Sequence, residues 1–305
     1  MIEPPIIIAT RRSKLALWQA EFVKNALEKV RPGVEMKLLA MTTSGDKWLN
    51  APLAEIGGKG LFIKELEAAL LAGEAKIAVH SMKDIPAVLP DGFSLPVIAF
   101  REDPRDVLVS RNGEKLSELP TGARIGSSSL RRQSQVYAIR RDLDICPVRG
   151  NVNTRLSKLD SGEYDALLLA SAGLKRLQLA ARVTEYLDTN ICLPAGGQGA
   201  LGIECLANDE ALIEFLSPLD DADVRACVEA ERGVSAGLEA DCSAPLGAHA
   251  TIVDGWITLR AVLATPDGSE ILRAAASGTQ PDALARDVVA DLAGQGGLEL
   301  LQSLR

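Results

Sequence analysis

A chain of 305 residues, 47% hydrophobic and 24% charged, has the make-up of a globular protein long enough for two or three domains. A formal net charge of −8 without a basic stripe excludes the electrostatic footprint of a nucleic-acid partner, and no apolar run approaches the ~20 residues of a membrane span. The start Met1-Ile2-Glu3-Pro4-Pro5 lacks a basic, apolar leader, and the five scattered cysteines form no C-x-x-C pair, so a cytoplasmic protein with reduced thiols is expected.

The first half alternates strand and helix. Residues 6–10 read as a short buried strand, after which Ser13 caps a helix with the apolar stripe Leu15, Trp18, Phe22, Val23, Leu27 and Val30, stopped by Pro32-Gly33. A second strand is expected over 34–42, a helix over 61–71 and a third strand over 77–79. Residues 101–106 are charged and contain a proline, which suits a hinge. A second strand–helix series then passes through Ile125, Ile145 and residues 166–169 and ends near residue 197. Residues 201–205 read as a strand returning to the first domain. A helix over 221–233, a hairpin turning at Asp254-Gly255 and a helix over 283–292 complete a different, smaller unit. The expected fold class is α/β: a domain of 1–100 with 200–217, a second of 105–194, a hinge, and a small C-terminal α+β domain over 220–305.

Arginine placement carries the chemistry. Arg131 and Arg132 follow Gly126-Ser127-Ser128-Ser129-Leu130, Arg149 precedes Gly150-Asn151, Arg155 lies a turn later, and Arg176 follows Ser171-Ala172-Gly173. Each comes after a short apolar run and a Gly/Ser/Asn break, where a helix N-terminus offers free N–H groups and a partial positive charge. Singly, such arginines are usually solvated or paired with an acid. Their recurrence at successive strand-to-helix turns of an acidic protein points to a ligand with several anionic groups, held at the carboxyl ends of strands.

Other motifs are excluded. Gly57-Gly58-Lys59-Gly60 has no Ser or Thr after the lysine, no G-x-G-x-x-G opens the first helix, and two histidines, His80 and His249, are too few for a histidine metal site or a Ser-His-Asp triad. His80 reads as a core or supporting residue. Asp84, in His80-Ser81-Met82-Lys83-Asp84, follows a buried strand; it could cap a turn, or stabilise a passing cation in an arginine-rich cleft.

These residues resemble the porphobilinogen deaminase family over nearly the whole chain. The resemblance is carried by Ala9-Thr10-Arg11 with Ser13 and Leu15-Ala16-Leu17-Trp18-Gln19, by Gly57-Gly58-Lys59-Gly60-Leu61-Phe62, and by Val79-His80-Ser81-Met82-Lys83-Asp84. Further along stand Arg101-Glu102-Asp103-Pro104-Arg105-Asp106, Gly126-Ser127-Ser128-Ser129-Leu130-Arg131-Arg132, Arg149-Gly150-Asn151 with Thr154-Arg155-Leu156, and Gly197-Gln198-Gly199-Ala200. The resemblance implies two domains like type II periplasmic binding proteins plus a third, and a monomer without metal that joins four porphobilinogen molecules into a linear tetrapyrrole with loss of ammonia. It implies a dipyrromethane primer attached to Cys242, with Ser81, Lys83, Ser127, Ser128, Ser129, Arg131 and Arg132 around it. Arg11, Ser13, Gln19, Lys59, Arg149, Arg155, Arg176 and Gln198 would hold substrate, Asp84 would be catalytic, and residues 43–60 would form a lid. Where the family usually has glycines this chain has Ala240 and Asp241, which disfavours a left-handed turn there and sets a carboxylate beside the thiol. The competing reading is a non-enzymatic intracellular module that binds a polycarboxylate.

Overall fold

The computed structural model of the chain describes residues 5–44 and 63–304. Its contacts divide into two units, Met1–Arg101 with Ala200–Arg225, and Glu102–Gly199 with Ala226–Arg305. The strands, in chain order, are β1 (Ile6–Arg11), β2 (Met36–Met41), β3 (Ile77–Ser81), β4 (Phe93–Ala99), β5 (Asp106–Ser110), β6 (Arg124–Gly126), β7 (Asp144–Cys146), β8 (Ala166–Ala170), β9 (Glu185–Tyr186), β10 (Leu201–Leu206), β11 (Leu246–Val253), β12 (Trp256–Ala264) and β13 (Ile271–Gly278).

In the first unit the sheet order is β2-β1-β3-β10-β4. β1 runs parallel to β2 and β3, and β10 runs antiparallel to both β3 and β4. Helix α1 (Lys14–Val30) packs its apolar stripe on one face: Ala20, Val23 and Leu27 meet Ile6, Ile8, Ile77 and Val79 in one buried cluster. Helix α2 (Lys64–Leu71) covers the other, where Leu66, Ala69 and Leu70 meet Ala9 and Ala78. The alternation of β3 therefore sends Val79 towards one core and Ala78 towards the other, as a strand covered on both sides requires. β4 escaped the sequence reading because Pro96 interrupts it. Proline is tolerated on a sheet edge, and an edge is where the sheet order places β4.

The second unit repeats the pattern in the order β7-β6-β8-β5-β9. β6 is parallel to β7 and β8, and β5 is antiparallel to β8 and β9. Helices α3 (Leu130–Tyr137), α4 (Val152–Asp160) and α5 (Ser171–Arg176) follow β6, β7 and β8 in turn. In both sheets the fourth strand, β10 or β5, is the first after the chain passes from one unit to the other. The three-stranded sheet β11-β12-β13 belongs to the same unit and forms a core with α7 (Ala222–Gly237), which follows α6 (Glu210–Leu216), and with α8 (Pro281–Gly294) and α9 (Gly297–Ser303). Its hairpin turns at Asp254 and Gly255, both in the left-handed region at φ 50° and 75°, which matches the twist of the flanking strands.

Candidate functional site

In the first unit, the end of β1, the start of α1 and the end of β3 converge on a cavity lined by Arg11, Ser13, Gln19, His80, Ser81 and Asp84, among others. Ser13 is the N-cap of α1, its hydroxyl accepting from Ala16 N–H at 3.3 Å. Gln19, buried in α1, donates from Nε2 to Ser81 Oγ at 2.8 Å, tying helix to strand end. β3 gives way to a single 3₁₀ turn, Met82–Asp84, that leaves the Asp84 carboxylate exposed. A carboxylate at the edge of a polar cavity can stabilise a cation and accept an N–H group of a ligand. His80 is buried with Nε2 2.8 Å from Glu204 Oε2, a supporting place. Lys59 and most of the expected lid lie outside the described residues.

In the second unit the arginines separate into kinds. Arg131 and Arg132 both bind Asp106, which is fully buried at the start of β5. Arg131 Nη1 donates to Asp106 Oδ2 and to Leu193 O, each at 2.6 Å. Arg132 donates from Nε to Asp106 Oδ1 at 2.9 Å and from Nη1 to Leu168 O at 3.1 Å, and its Nη2 lies 2.8 Å from Asp106 Oδ1. Gln198 Nε2 completes the shell, reaching Asp106 Oδ1 at 3.0 Å and Pro104 O at 2.6 Å. Burial alone would raise the Asp106 carboxyl, but the two guanidinium groups overcome it and hold the acid well below the usual carboxylate range. Arg132 spends all three nitrogens inside the protein, whereas Arg131 Nε and Nη2 make no hydrogen bond among the described residues.

Arg176, also buried, donates from Nη2 to Gly199 O at 2.6 Å, and burial pulls it down to about 10 against the opposing Glu102 charge. Arg155 Nε donates to Gly150 O at 2.8 Å. Asn151 caps α4 through Thr154 N–H, so the cap falls to Asn151 and leaves the preceding Arg149 half-buried. Of the serine run, Ser128 Oγ both donates to Val148 O at 2.8 Å and accepts from Val148 N–H at 3.0 Å, and Ser127 Oγ accepts from Ser129 N–H at 3.3 Å. Ser129 is the N-cap of α3 but makes no side-chain cap bond.

None of the five cysteines is in a disulfide, and Cys242 alone is exposed. Burial pushes the Cys192 and Cys205 thiols up to about 12, which disfavours the nucleophilic thiolate. The loop around Cys242 is a turn in which Ala244 N–H donates to Asp241 O at 3.1 Å, while Asp241 Oδ1 accepts from Ser243 N–H at 2.9 Å and from Ser243 Oγ. The left-handed residue here is Glu239 at φ 50°, while Ala240 and Asp241 keep negative φ, so the loop has no need of glycine at those two positions. The described residues hold no group of His, Cys, Asp and Glu fit for a metal.

Two acids that organise this unit were not singled out from the sequence. One is Asp106. The other is Glu231, fully buried in α7, whose Oε2 accepts from Gly197 N–H and Oε1 from Ala250 N–H, both at 2.7 Å, with His249 Nδ1 3.2 Å from Oε1. The adjacent pair Arg131-Arg132, an unusual thing to bury, was the one available hint that an acid must sit between them.

Residues 6–214 match the family model described as porphobilinogen deaminase, dipyrromethane cofactor binding domain, and residues 225–294 match the porphobilinogen deaminase C-terminal domain. Solved structures similar to this chain include the second substrate-binding domain of a putative amino acid ABC transporter from Streptococcus pneumoniae, at 14% identity and TM-score 0.45, covering 70% of this chain and 91% of that one. The substrate-binding domain of a putative molybdenum ABC transporter from Clostridium difficile is similar at 12% identity and TM-score 0.44, over 71% and 92% of the two chains. The VFT2 domain of BvgS from Bordetella pertussis gives 14% and 0.43, over 70% and 85%.

Proposed function

Because the chain belongs to the porphobilinogen deaminase family, a family of tetrapyrrole-forming transferases, we propose that it condenses four porphobilinogen molecules head to tail and releases ammonia, giving hydroxymethylbilane. The observation that carries this reading is the match of both family models, in order, along the chain. The protein would work as a cytoplasmic monomer, and no helix among its described residues is long and apolar enough to cross a membrane.

A dipyrromethane group would be held by a thioether to Cys242, with Arg131, Ser129 and Lys83 as partners for its carboxylates. When bound, it supplies the pyrrole α-carbon at which the chain is extended. Each porphobilinogen brings an acetate and a propionate, so carboxylates accumulate with every unit added. Arg11, Arg149, Arg155 and Arg176 would take them, and guanidinium suits that work because its planar fork matches a carboxylate bidentately. Ser13 and Gln19 would orient the ring in the first unit's cavity, with Gln198 and Lys59 as further polar contacts. Arg132, Ser127 and Ser128, named above as primer contacts, support the reading differently, because their polar atoms bond within the protein and would shape the site from behind.

As ammonia leaves the aminomethyl carbon, the substrate becomes an electron-poor azafulvenium cation. Asp84 would accept the pyrrole N–H and stabilise that charge, then take the proton released once the carbon–carbon bond has formed. A fixed carboxylate already in place needs no reorganisation at the moment of reaction. The test is the intact mass of the denatured protein, before and after brief exposure to porphobilinogen. A mass above that of the sequence by one dipyrromethane, rising in pyrrole-sized steps as ammonia appears, supports the reading. An unmodified mass with no porphobilinogen consumed overturns it.

A further inference from the structure

Within the second unit, residues 193–199 form a strap that the three-stranded sheet grips on one side and the arginines lean on from the other. On the sheet side, Ala248 N–H of β11 donates to Pro194 O at 2.9 Å, and a side chain at Gly247 would meet Leu193 O at 2.8 Å. Glu231, fully buried in α7, joins the same two segments with one carboxylate: Oε2 accepts from Gly197 N–H and Oε1 from Ala250 N–H, each at 2.7 Å. A buried carboxylate that holds N–H groups from two separate segments fixes their spacing, because moving either one leaves charge in the core without its donor.

The other side of the strap supplies atoms that set the arginine cluster. Leu193 O accepts from Arg131 Nη1 at 2.6 Å and from Gln135 Nε2 at 3.2 Å, while Leu193 N–H donates to Gln135 Oε1 at 2.7 Å. Gln198 donates to Asp106, the acid that binds Arg131 and Arg132, and Gly199 O accepts from Arg176. The sheet meets α3 a second time: a side chain at Gly268, at φ 65° between β12 and β13, would collide with Ser134 O, in the turn after Arg131. The helix that carries Glu231 also leads to the Cys242 loop. It ends at Gly237, Leu238 is buried in the core of the sheet, and Ala240 and Ala244 pack against that core on either side of the cysteine.

We propose that Glu231 is a positioning residue: through the strap it sets where the Arg131 guanidinium stands relative to the helix that leads to Cys242. The use of Arg131 and Cys242 by a primer rests on the reading of the reaction above; the grip of Glu231 on the strap does not. A primer bonded to a thiol at one end and held by charge at the other needs a constant span between the two, and misplacement by a fraction of a bond length already weakens such a fit. One rigid helix, one carboxylate and one strap keep that span constant.

Amide hydrogen exchange and intact mass of the whole protein test the two halves separately. Glu231→Gln keeps the shape but must set its amide N–H groups against Gly197 N–H or Ala250 N–H, Glu231→Met removes both acceptors, and Gly247→Ala pushes on Leu193 O without touching a charge. Losing one charge-assisted hydrogen bond predicts roughly 10- to 100-fold faster exchange, at Gly197 or Ala250 in Glu231→Gln and at both in Glu231→Met. Unchanged exchange in both Glu231 variants overturns the grip. All three variants should contain primer-free chains that wild type lacks, while the loaded chains keep KM within about twofold of wild type. Leu292→Ala, which opens a cavity in the same core and breaks none of these bonds, controls for stability alone: it should melt lower and still load primer fully. Full loading in the Glu231 variants despite faster exchange, or an equal loss of primer in Leu292→Ala, refutes the positioning role. Should Glu231→Met fail to fold, Glu231→Gln and Gly247→Ala carry the test. If wild type itself holds no primer, the reading of the reaction falls and the positioning role with it, while exchange still decides the grip.

Discussion

Removing the Asp106 charge should cost this protein more stability than any exposed substitution. In Asp106→Asn the shape is kept, but Arg131 and Arg132 are left as two buried cations with no anion between them. The new amide must also turn an N–H towards Arg131 Nη1 or Arg132 Nε, both already donors at 2.6 and 2.9 Å. Breaking a buried ion pair by removing one partner costs about 3–5 kcal/mol, because the uncompensated charge stays in place. At about 2–4 °C per kcal/mol for a chain of this class, the low end predicts a fall in Tm of roughly 6–12 °C. The assay is thermal unfolding of both proteins across pH. The Asp106 carboxyl titrates below its unfolded value, so its contribution is whole above about pH 4 and fades as pH falls towards the depressed pKa. The gap between wild type and variant should therefore close in acid. A Tm within about a degree of wild type at neutral pH, or a gap independent of pH, would rule out Asp106 as the anion that stabilises the two buried arginines.

Arg131→Leu and Arg132→Leu should both yield mostly primer-free protein, and Arg132→Leu should also melt lower, since all its nitrogens bond internally. Arg11→Leu, Arg149→Leu and Arg155→Leu should load primer and stall at intermediate chain lengths; five variants with full primer and evenly raised KM would sink this division of labour. Asp84→Asn should keep fold and ligand binding yet lose a factor of ~10² to 10³ in turnover, and a loss of only a few fold would remove Asp84 from the chemistry. Cys242→Ala should fold but stay without primer, whereas in wild type the extra mass should survive denaturation and reduction, since a thioether does not exchange with thiols, and map to the peptide around Cys242; an active, primer-loaded Cys242→Ala would move the search to another nucleophile.

Local chemistry made part of this fold readable. Ser13 announces α1 because a hydroxyl before an apolar helical stripe is how a helix end meets its first N–H groups, and the structure has that bond. Asp254-Gly255 announces a hairpin because both residues tolerate positive φ. The series of short apolar strands was visible wherever a helix separated them. β4 and β5 were not. Pro96 argues against a strand unless it lies on an edge, and β5 begins at Asp106, inside a run that reads as a charged hinge. Edge position and burial of an acid are tertiary facts, and no local pattern reports them. Placement of the site followed the same line: strand ends and helix starts located the arginines, but only packing separates Arg132, spent on Asp106, from Arg131 with nitrogens to spare.

The acids that sequence reading passed over share a location. Asp106 opens the first strand after the chain enters the second unit, and Glu204 lies in the first strand after it leaves. Glu231 grips Gly197 just before that departure. At such points apolar packing alone fixes register poorly, because a slide of one residue along a strand exchanges one buried hydrophobic set for another. A buried carboxylate tolerates no such slide, since moving it strands a charge away from its donors. Between the crossings, Glu102 N–H donates to Gly199 O at 3.0 Å, and a side chain at Gly199 would collide with Glu102 O, so the departing and returning segments run too close to admit one. The same buried acid that fixes register at Asp106 also orients Arg131, and the one at Glu204 fixes the strand end that leads to Asp84. In this chain two of the acids that specify the fold at its crossings, Asp106 and Glu204, also hold Arg131 and the strand end before Asp84.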